Sequence, residues 1–99
     1  MTNELSSAQI RKLKSLAQHL EPVLRVGKAG LSEAFLQSLD QALVRHELVK
    51  VKFAEFKEQK KELAPQLAAK TASQLVTRVG NVVVLYREQT DPTRRVVNF

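Results

Sequence analysis

The 99-residue sequence predicts an α/β fold: a single compact domain in the order α-β-α-β-α-β-β, with a mixed four-stranded sheet packed with helices. Apolar residues at helical spacing alternate with short β-rich runs, which is the first observation behind this expectation. The second is the dipeptide Gly80-Asn81 between two apolar runs, a two-residue hairpin signal. The third follows from connectivity. Strands joined through helices run parallel where they pair, with right-handed crossovers, and the hairpin turns the last strand antiparallel.

The first helix is expected over Ser7 to His19. Ser6 caps it, Gln9 at the third position completes a capping box, and Leu5 with Ile10 occupy hydrophobic-staple positions. Ile10, Leu13, Leu16, Ala17 and Leu20 form the apolar stripe, and Arg11, Lys12 and Lys14 lie off it, in solvent. Pro22 stops the helix. The first strand is Val23 to Val26. Ser32 caps a second helix over Glu33 to Arg45, whose buried face is Phe35, Leu36, Leu39, Ala42 and Leu43. His46 falls near its C-terminus.

The second strand, Leu48 to Phe53, alternates. Val49, Val51 and Phe53 share one face; Leu48, Lys50 and Lys52 share the other, which reads as wet or bound to something polar. A third helix is expected over Lys57 to Lys70, with Leu63 and Leu67 inward. Pro65 conflicts with it, and either bends the helix or sits near its true first turn. The third strand is Gln74 to Val79 and the fourth Val82 to Arg87. Val82-Val83-Val84-Leu85 is apolar at every position, so the fourth strand is expected to be covered on both faces. Residues 88–99 form a C-terminal tail that holds the turn Thr90-Asp91-Pro92-Thr93, and its end, Arg94 to Phe99, is either loose or a short edge strand.

Composition bounds the function. The chain is 43% hydrophobic, enough for one modest core, and holds no cysteine, so disulfides and thiolate metal sites are excluded. No apolar run reaches the length of a membrane span, and Met1-Thr2-Asn3-Glu4 lacks a signal-peptide layout. A cytoplasmic protein without a membrane partner is the expectation. The net charge is +6, and each half of the chain carries the same excess, eight Lys/Arg against five Asp/Glu. The charge therefore belongs to the folded surface and not to a detachable tail. Such a surface attracts polyanions; simple solubility is the competing account.

The most informative motif is Gly27-Lys28-Ala29-Gly30, between a strand and a helix start. That arrangement presents backbone N–H groups to a phosphate. It also serves as an ordinary tight turn. Ala29 after Lys28 excludes a Walker loop, and the missing middle glycine excludes a dinucleotide fingerprint. In KH modules a G-x-x-G loop clamps a nucleic-acid backbone. The aromatics are Phe35, Phe53, Phe56, Tyr86 and Phe99, too sparse for an RRM-type platform. Tyr86 and Phe99 are candidates for stacking on a base, with core or edge packing as the alternative. His19 and His46 lie on different helices, and no metal, cofactor or catalytic set emerges, so a non-enzymatic protein is expected.

Four blocks together resemble one family. They are Leu13-x-x-Leu16-Ala17-x-x-Leu20-x-Pro22, Val26-Gly27-Lys28-Ala29-Gly30-Leu31-Ser32, His46-Glu47-Leu48-Val49-Lys50-Val51-Lys52, and Val84-Leu85-Tyr86-Arg87. In this order they resemble the CRM domain (chloroplast RNA splicing and ribosome maturation), in its stand-alone bacterial YhbY-like form, over about residues 5–87. The resemblance implies an RNA-binding domain similar to the C-terminal domain of translation initiation factor three. It also implies a role on precursors of the large ribosomal subunit. Carried onto this chain, the RNA-contacting loop is Gly27, Lys28, Ala29 and Gly30. Ala29 stands where Asn is common, Glu88 stands where Pro is often seen, and Phe53-Ala54-Glu55-Phe56 and Pro65 depart from the pattern.

The resulting expectation is a monomeric RNA-binding protein acting on ribosomal RNA in large-subunit precursors, with no small-molecule substrate. Phosphates would dock at the loop amides and the start of the second helix. Lys28, Arg11, Lys12, Lys14, Lys50 and Lys52 would supply counter-charge. Two rivals stand beside it: a protein-interaction module docking on a ribosomal protein, and a small enzyme handling a phosphorylated metabolite in a deep pocket beside the loop.

Overall fold

Ser6 and Gln9 start the first helix by a reciprocal pair of bonds in the computed structural model, which describes residues 5–97. The Ser6 hydroxyl accepts Gln9 N–H at 3.1 Å and the Gln9 side-chain oxygen accepts Ser6 N–H at 2.9 Å, satisfying two amides a helix otherwise leaves open. Met1 to Glu4 and Phe99, read above from sequence, lie outside the described residues. The helix, α1, spans Ser7–Ala17, two residues short of the expected end. The cause is local: His19 and Leu20 N–H reach back only three residues, to Leu16 and Ala17 carbonyls, tightening the last turn. Leu13 and Ala17 are buried, but Leu16 and Leu20 are each 38% exposed, so the expected stripe is narrower than its sequence pattern.

β1 follows as Leu24–Val26, then α2 as Glu33–His46, and β2 as Leu48–Phe53. The expected third helix divides into a 3-10 turn, Lys57–Gln59, and α3, Lys60–Lys70. Pro65 lies inside α3, past its first turn, with its ring exposed. It forgoes one helical hydrogen bond, a cost the packing of Ala64, Leu67 and Ala68 offsets. β3 is Gln74–Val79 and β4 is Val82–Tyr86, joined by Gly80-Asn81. Gly80 takes φ +57, the positive value such a turn asks of its first residue. β4 stops before Arg87, whose side chain is used elsewhere.

The sheet order is β1-β2-β4-β3. β1 pairs parallel with β2, and β4 runs antiparallel between β2 and β3. α2 and α3 cover one face, burying Val26, Leu39, Leu43, Val49, Val51, Phe53, Leu67, Val83 and Leu85. α1 lies on the other face over Leu48, Val76, Val84 and Tyr86. The central place of β4 explains its unbroken apolar run: Val83 to Tyr86 are all buried. Leu48 corrects the expectation of a wet second face on β2. It is 5% exposed under α1, and only the far half of that face remains open.

The tail is neither loose nor a strand over its described part. It makes a 3-10 turn at Pro92–Arg94, capped by Asp91. The Thr93 hydroxyl and amide donate to Asp91, at 2.8 and 3.0 Å, holding that carboxyl below the usual carboxylate range. The chain then returns to α1's side of the sheet, where Val97 joins the smaller core. Its anchor is the buried Glu47, which sits at φ +61 between α2 and β2.

Candidate nucleic-acid interface

The Gly27–Gly30 segment is a tight turn closed by Gly30 N–H donating to Gly27 O at 3.0 Å. Lys28 and Ala29 occupy its exposed tip. Among the described residues neither of their amides has an acceptor in the protein. The two glycines differ. Gly30 takes φ +66, a conformation that side chains resist, and its Cα side faces the Phe56 ring 3.4 Å from where a Cβ would stand. At Gly27 a Cβ would meet nothing within 4 Å, and its φ is not positive. The fold needs glycine at 30 and does not need it at 27.

The connector after β2 braces the turn. Val26 O, the last carbonyl of β1, accepts both Ala54 and Glu55 N–H, at 3.1 and 3.0 Å. Phe56, left-handed at φ +56, lays its ring against Gly30. The sequence names Phe56 as an aromatic and as part of a departure from the family pattern, but does not join it to the loop, because that contact depends on the fold. The start of α2 is already provided with oxygen. Ser32 Oγ accepts Phe35 N–H at 3.2 Å, and Glu33 brings a carboxylate to the first turn. The cap takes one of the first amides of α2, and the Lys28 and Ala29 amides of the loop stand open beside it.

The expected cations divide into groups. Lys50 and Lys52 are half-buried on the α1 face of β2. Lys50 Nζ donates to Leu20 O at 3.0 Å, so part of its role is to cap the chain leaving α1. Lys14 and Lys50 line one cleft beside α1, whereas Arg11 and Lys12 are exposed on α1 outside it. Lys28 stands apart at the loop tip. Arg25 was missed. It lies directly across from Lys52 in the β1–β2 register, exposed on the same face, two residues before Gly27. The alternation Leu24-Arg25-Val26 carried that signal, but the register needed to join it to Lys52 is not local.

A second cleft, of about 530 Å³, lies beyond α1, and His19 and His46 both line it among apolar residues including Leu16, Leu20 and Val23. A hollow of about 440 Å³ beside Gly30 holds Glu62 and Lys70 but none of Gly27, Lys28 or Ala29. No group of three or more metal-ligating side chains clusters among the described residues. No helix among them is long and apolar enough to cross a membrane.

These features define a class: a small basic α/β domain that presents a braced glycine turn at one edge of its sheet and a half-open basic face beside it. The chain belongs to the CRS1 / YhbY (CRM) domain family, whose model matches residues 5–87. It is 37% identical over 96 residues to a protein of Pseudomonas aeruginosa named as a probable RNA-binding protein, covering 96% of this chain and 92% of that one. It is 39% identical over 85 residues to YqeI of Bacillus subtilis, likewise named a probable RNA-binding protein, covering 85% and 88% of the two chains. A hypothetical protein of Staphylococcus aureus, solved in solution, superposes with a TM-score of 0.77 at 35% identity, over 96% of this chain and 100% of that one.

Proposed function

We propose that this protein binds RNA through the Gly27–Gly30 turn and the adjoining basic sheet face, without catalysing a reaction, and that its target is ribosomal RNA in precursors of the large subunit. The observation that carries the reading is Gly27. It is a glycine the fold does not require, next to the amides of two exposed residues that have no acceptor among the described residues, and a lysine at the tip. A missing Cβ there lets a phosphate come close to the backbone, and the amides can donate to it. Lys28, Arg25 and Lys52 supply charge nearby, with Lys14, Lys50, Arg11 and Lys12 extending it. The names of the relatives support RNA as the polyanion. The chain acts as a monomer in the cytoplasm in this reading.

The test is binding to fragments of large-subunit ribosomal RNA across a salt series, for the native chain and for Lys28→Ala combined with Gly27→Asp. Gly27 suits the test because Asp fits there without strain. The double variant is expected to melt like the native chain, bind at least tenfold more weakly, and lose about one unit of salt slope for the lost lysine. Unchanged affinity and slope would defeat the loop assignment. Cosedimentation with large-subunit precursors, against mature subunits, tests the ribosomal target.

A second reading has one observation in its favour. The cleft holding Leu16, Leu20 and Val23 leaves large apolar side chains exposed, as a docking site for a ribosomal protein would. It predicts association that survives loss of Lys28.

A further inference from the structure

We infer that the half of the sheet face left open by α1 receives one unpaired nucleobase, so that the preferred RNA carries a bulged or looped nucleotide and is not an uninterrupted duplex. This rests on the RNA-binding reading above and specifies its substrate.

α1 covers its face of the sheet unevenly. At one end Leu48, Val84 and Tyr86 are 5%, 3% and 2% exposed. At the other end Val79 is 69% exposed and Val82 only half-buried. Between them lies a cleft of about 420 Å³, within the size range of sites that enclose small organic ligands. Its floor is aliphatic, from Val79, Val82 and Val84, and its rim is polar, from Lys14, Gln18 and Lys50. Among the described residues no carboxylate lines it.

That chemistry matches a nucleobase better than a peptide or a helix. A base has two flat apolar faces, a polar edge and a phosphate on either side. The valines offer the apolar surface, the Gln18 amide offers both a donor and an acceptor, and the two ammonium groups face the flanking phosphates. The two charged residues of the rim, Lys14 and Lys50, are both cationic and complementary to a polyanion.

The cleft is also continuous with the glycine turn. Val82 lies opposite Lys52 and Lys52 opposite Arg25, so one row crosses three strands on one face. Strand spacing makes that row about 10 Å long. Gly27 follows Arg25 by two residues. A backbone gripped at the turn can pass Arg25 and Lys52 and present a base over Val82. In a duplex the bases are stacked inside, so only an unpaired nucleotide can enter.

The experiment compares two RNA hairpins identical except for one bulged nucleotide, the bulge carrying a fluorescent base analogue. The native chain is expected to bind the bulged hairpin roughly tenfold more tightly, a typical gain for docking one base, and to change the analogue's fluorescence. Val79→Gln with Val82→Thr makes the two more exposed of the three floor valines polar while keeping charge and volume close. It is expected to bind both hairpins at the native chain's affinity for the paired one. Gln18→Ala, at the exposed C-cap of α1, is expected to reduce the preference in part.

Equal affinity of the native chain for both hairpins overturns the inference and leaves RNA binding standing. Failure to bind either hairpin removes RNA binding, and the inference with it. A preference that survives the double valine variant overturns the assignment to this cleft. Sedimentation of the same samples provides a further check: self-association abolished by Val79→Gln, with RNA preference unchanged, would make the cleft a contact between copies.

Discussion

The carboxylate of Glu47 accepts the backbone N–H of Val97 at 2.7 Å, across fifty residues of sequence. The same oxygen accepts Val96 N–H at 2.6 Å, and the other accepts Gln89 N–H at 2.6 Å. The Glu47 backbone joins in, its N–H donating to Leu43 O and its O accepting Arg87 N–H, both at 2.9 Å. A fully buried carboxylate is costly unless its lone pairs are filled, and here the C-terminal tail fills them. Glu47→Gln leaves one oxygen and sets an NH₂ group against a donor. It is expected to cost about 2–3 kcal/mol in urea unfolding. Hydrogen exchange is expected to speed up at Gln89, Val96 and Val97. Native-like protection of those amides in the variant would remove the latch from the account.

Tyr86 predicts an alkaline limit. It is 2% exposed, and burial, reinforced by the negative charges of Glu47 and Glu88 and opposed by Arg95, pushes its hydroxyl up to about 12 from an ordinary value of 10.0. The folded state therefore holds this proton more tightly than the unfolded chain. The stabilisation is complete below pH 10.0 and is lost as pH rises from 10.0 towards about 12. Tyr86 is the single tyrosine of the chain, so tyrosinate absorbance reports it directly. Ionisation near the ordinary value, with the fold intact, would count against the burial of its hydroxyl.

The two loop glycines should respond unequally to alanine. Gly30→Ala forces a side chain into φ +66 beside the Phe56 ring, and is expected to cost about 1–2 kcal/mol. Gly27→Ala places its methyl in open space at an ordinary φ, and is expected to leave stability unchanged within about 0.5 kcal/mol. Thermal melts of the pair check this. Equal losses would mean that the turn is not strained where its backbone indicates.

Arg87 fastens three elements at one point. Its guanidinium donates to Asp40 Oδ1 and Thr71 O, both at 2.7 Å, and to Asp40 O at 3.0 Å. Arg87→Lys keeps the charge but loses the planar fork, and is expected to cost about 1–2 kcal/mol. Glu88→Ala, which breaks the exposed pair with Arg95 at 3.0 Å, is expected to cost less than about 0.5 kcal/mol. Chemical denaturation of both variants distinguishes a clamp from surface charge.

Much of this protein is written locally. The Ser6–Gln9 box, the Ser32 cap, the Gly80-Asn81 hairpin and the alternation of Leu48 to Phe53 depend on neighbours within a few residues, so the element order and the α/β class could be read directly. The glycine turn was legible for the same reason. Errors arose where a distant partner sets the outcome. The early stop of α1 is the exception, a local effect of carbonyls used three residues on. Leu48 was hidden by a helix thirty or more positions earlier in the chain. Arg25 became a neighbour of Lys52 only through strand register, and Glu47, one charge among many in the sequence, became the anchor of the tail.

By itself, then, the order of residues determined which segments are helix or strand, where the tight turns fall and that the folded surface is basic, because propensity, capping and periodicity are short-range. The tertiary structure decided which half of the sheet face stays open, which cations share it, which glycine the backbone requires and which carboxylate is buried. Those outcomes depend on pairing register and on what covers each face, and both are set by contacts between residues far apart in the chain.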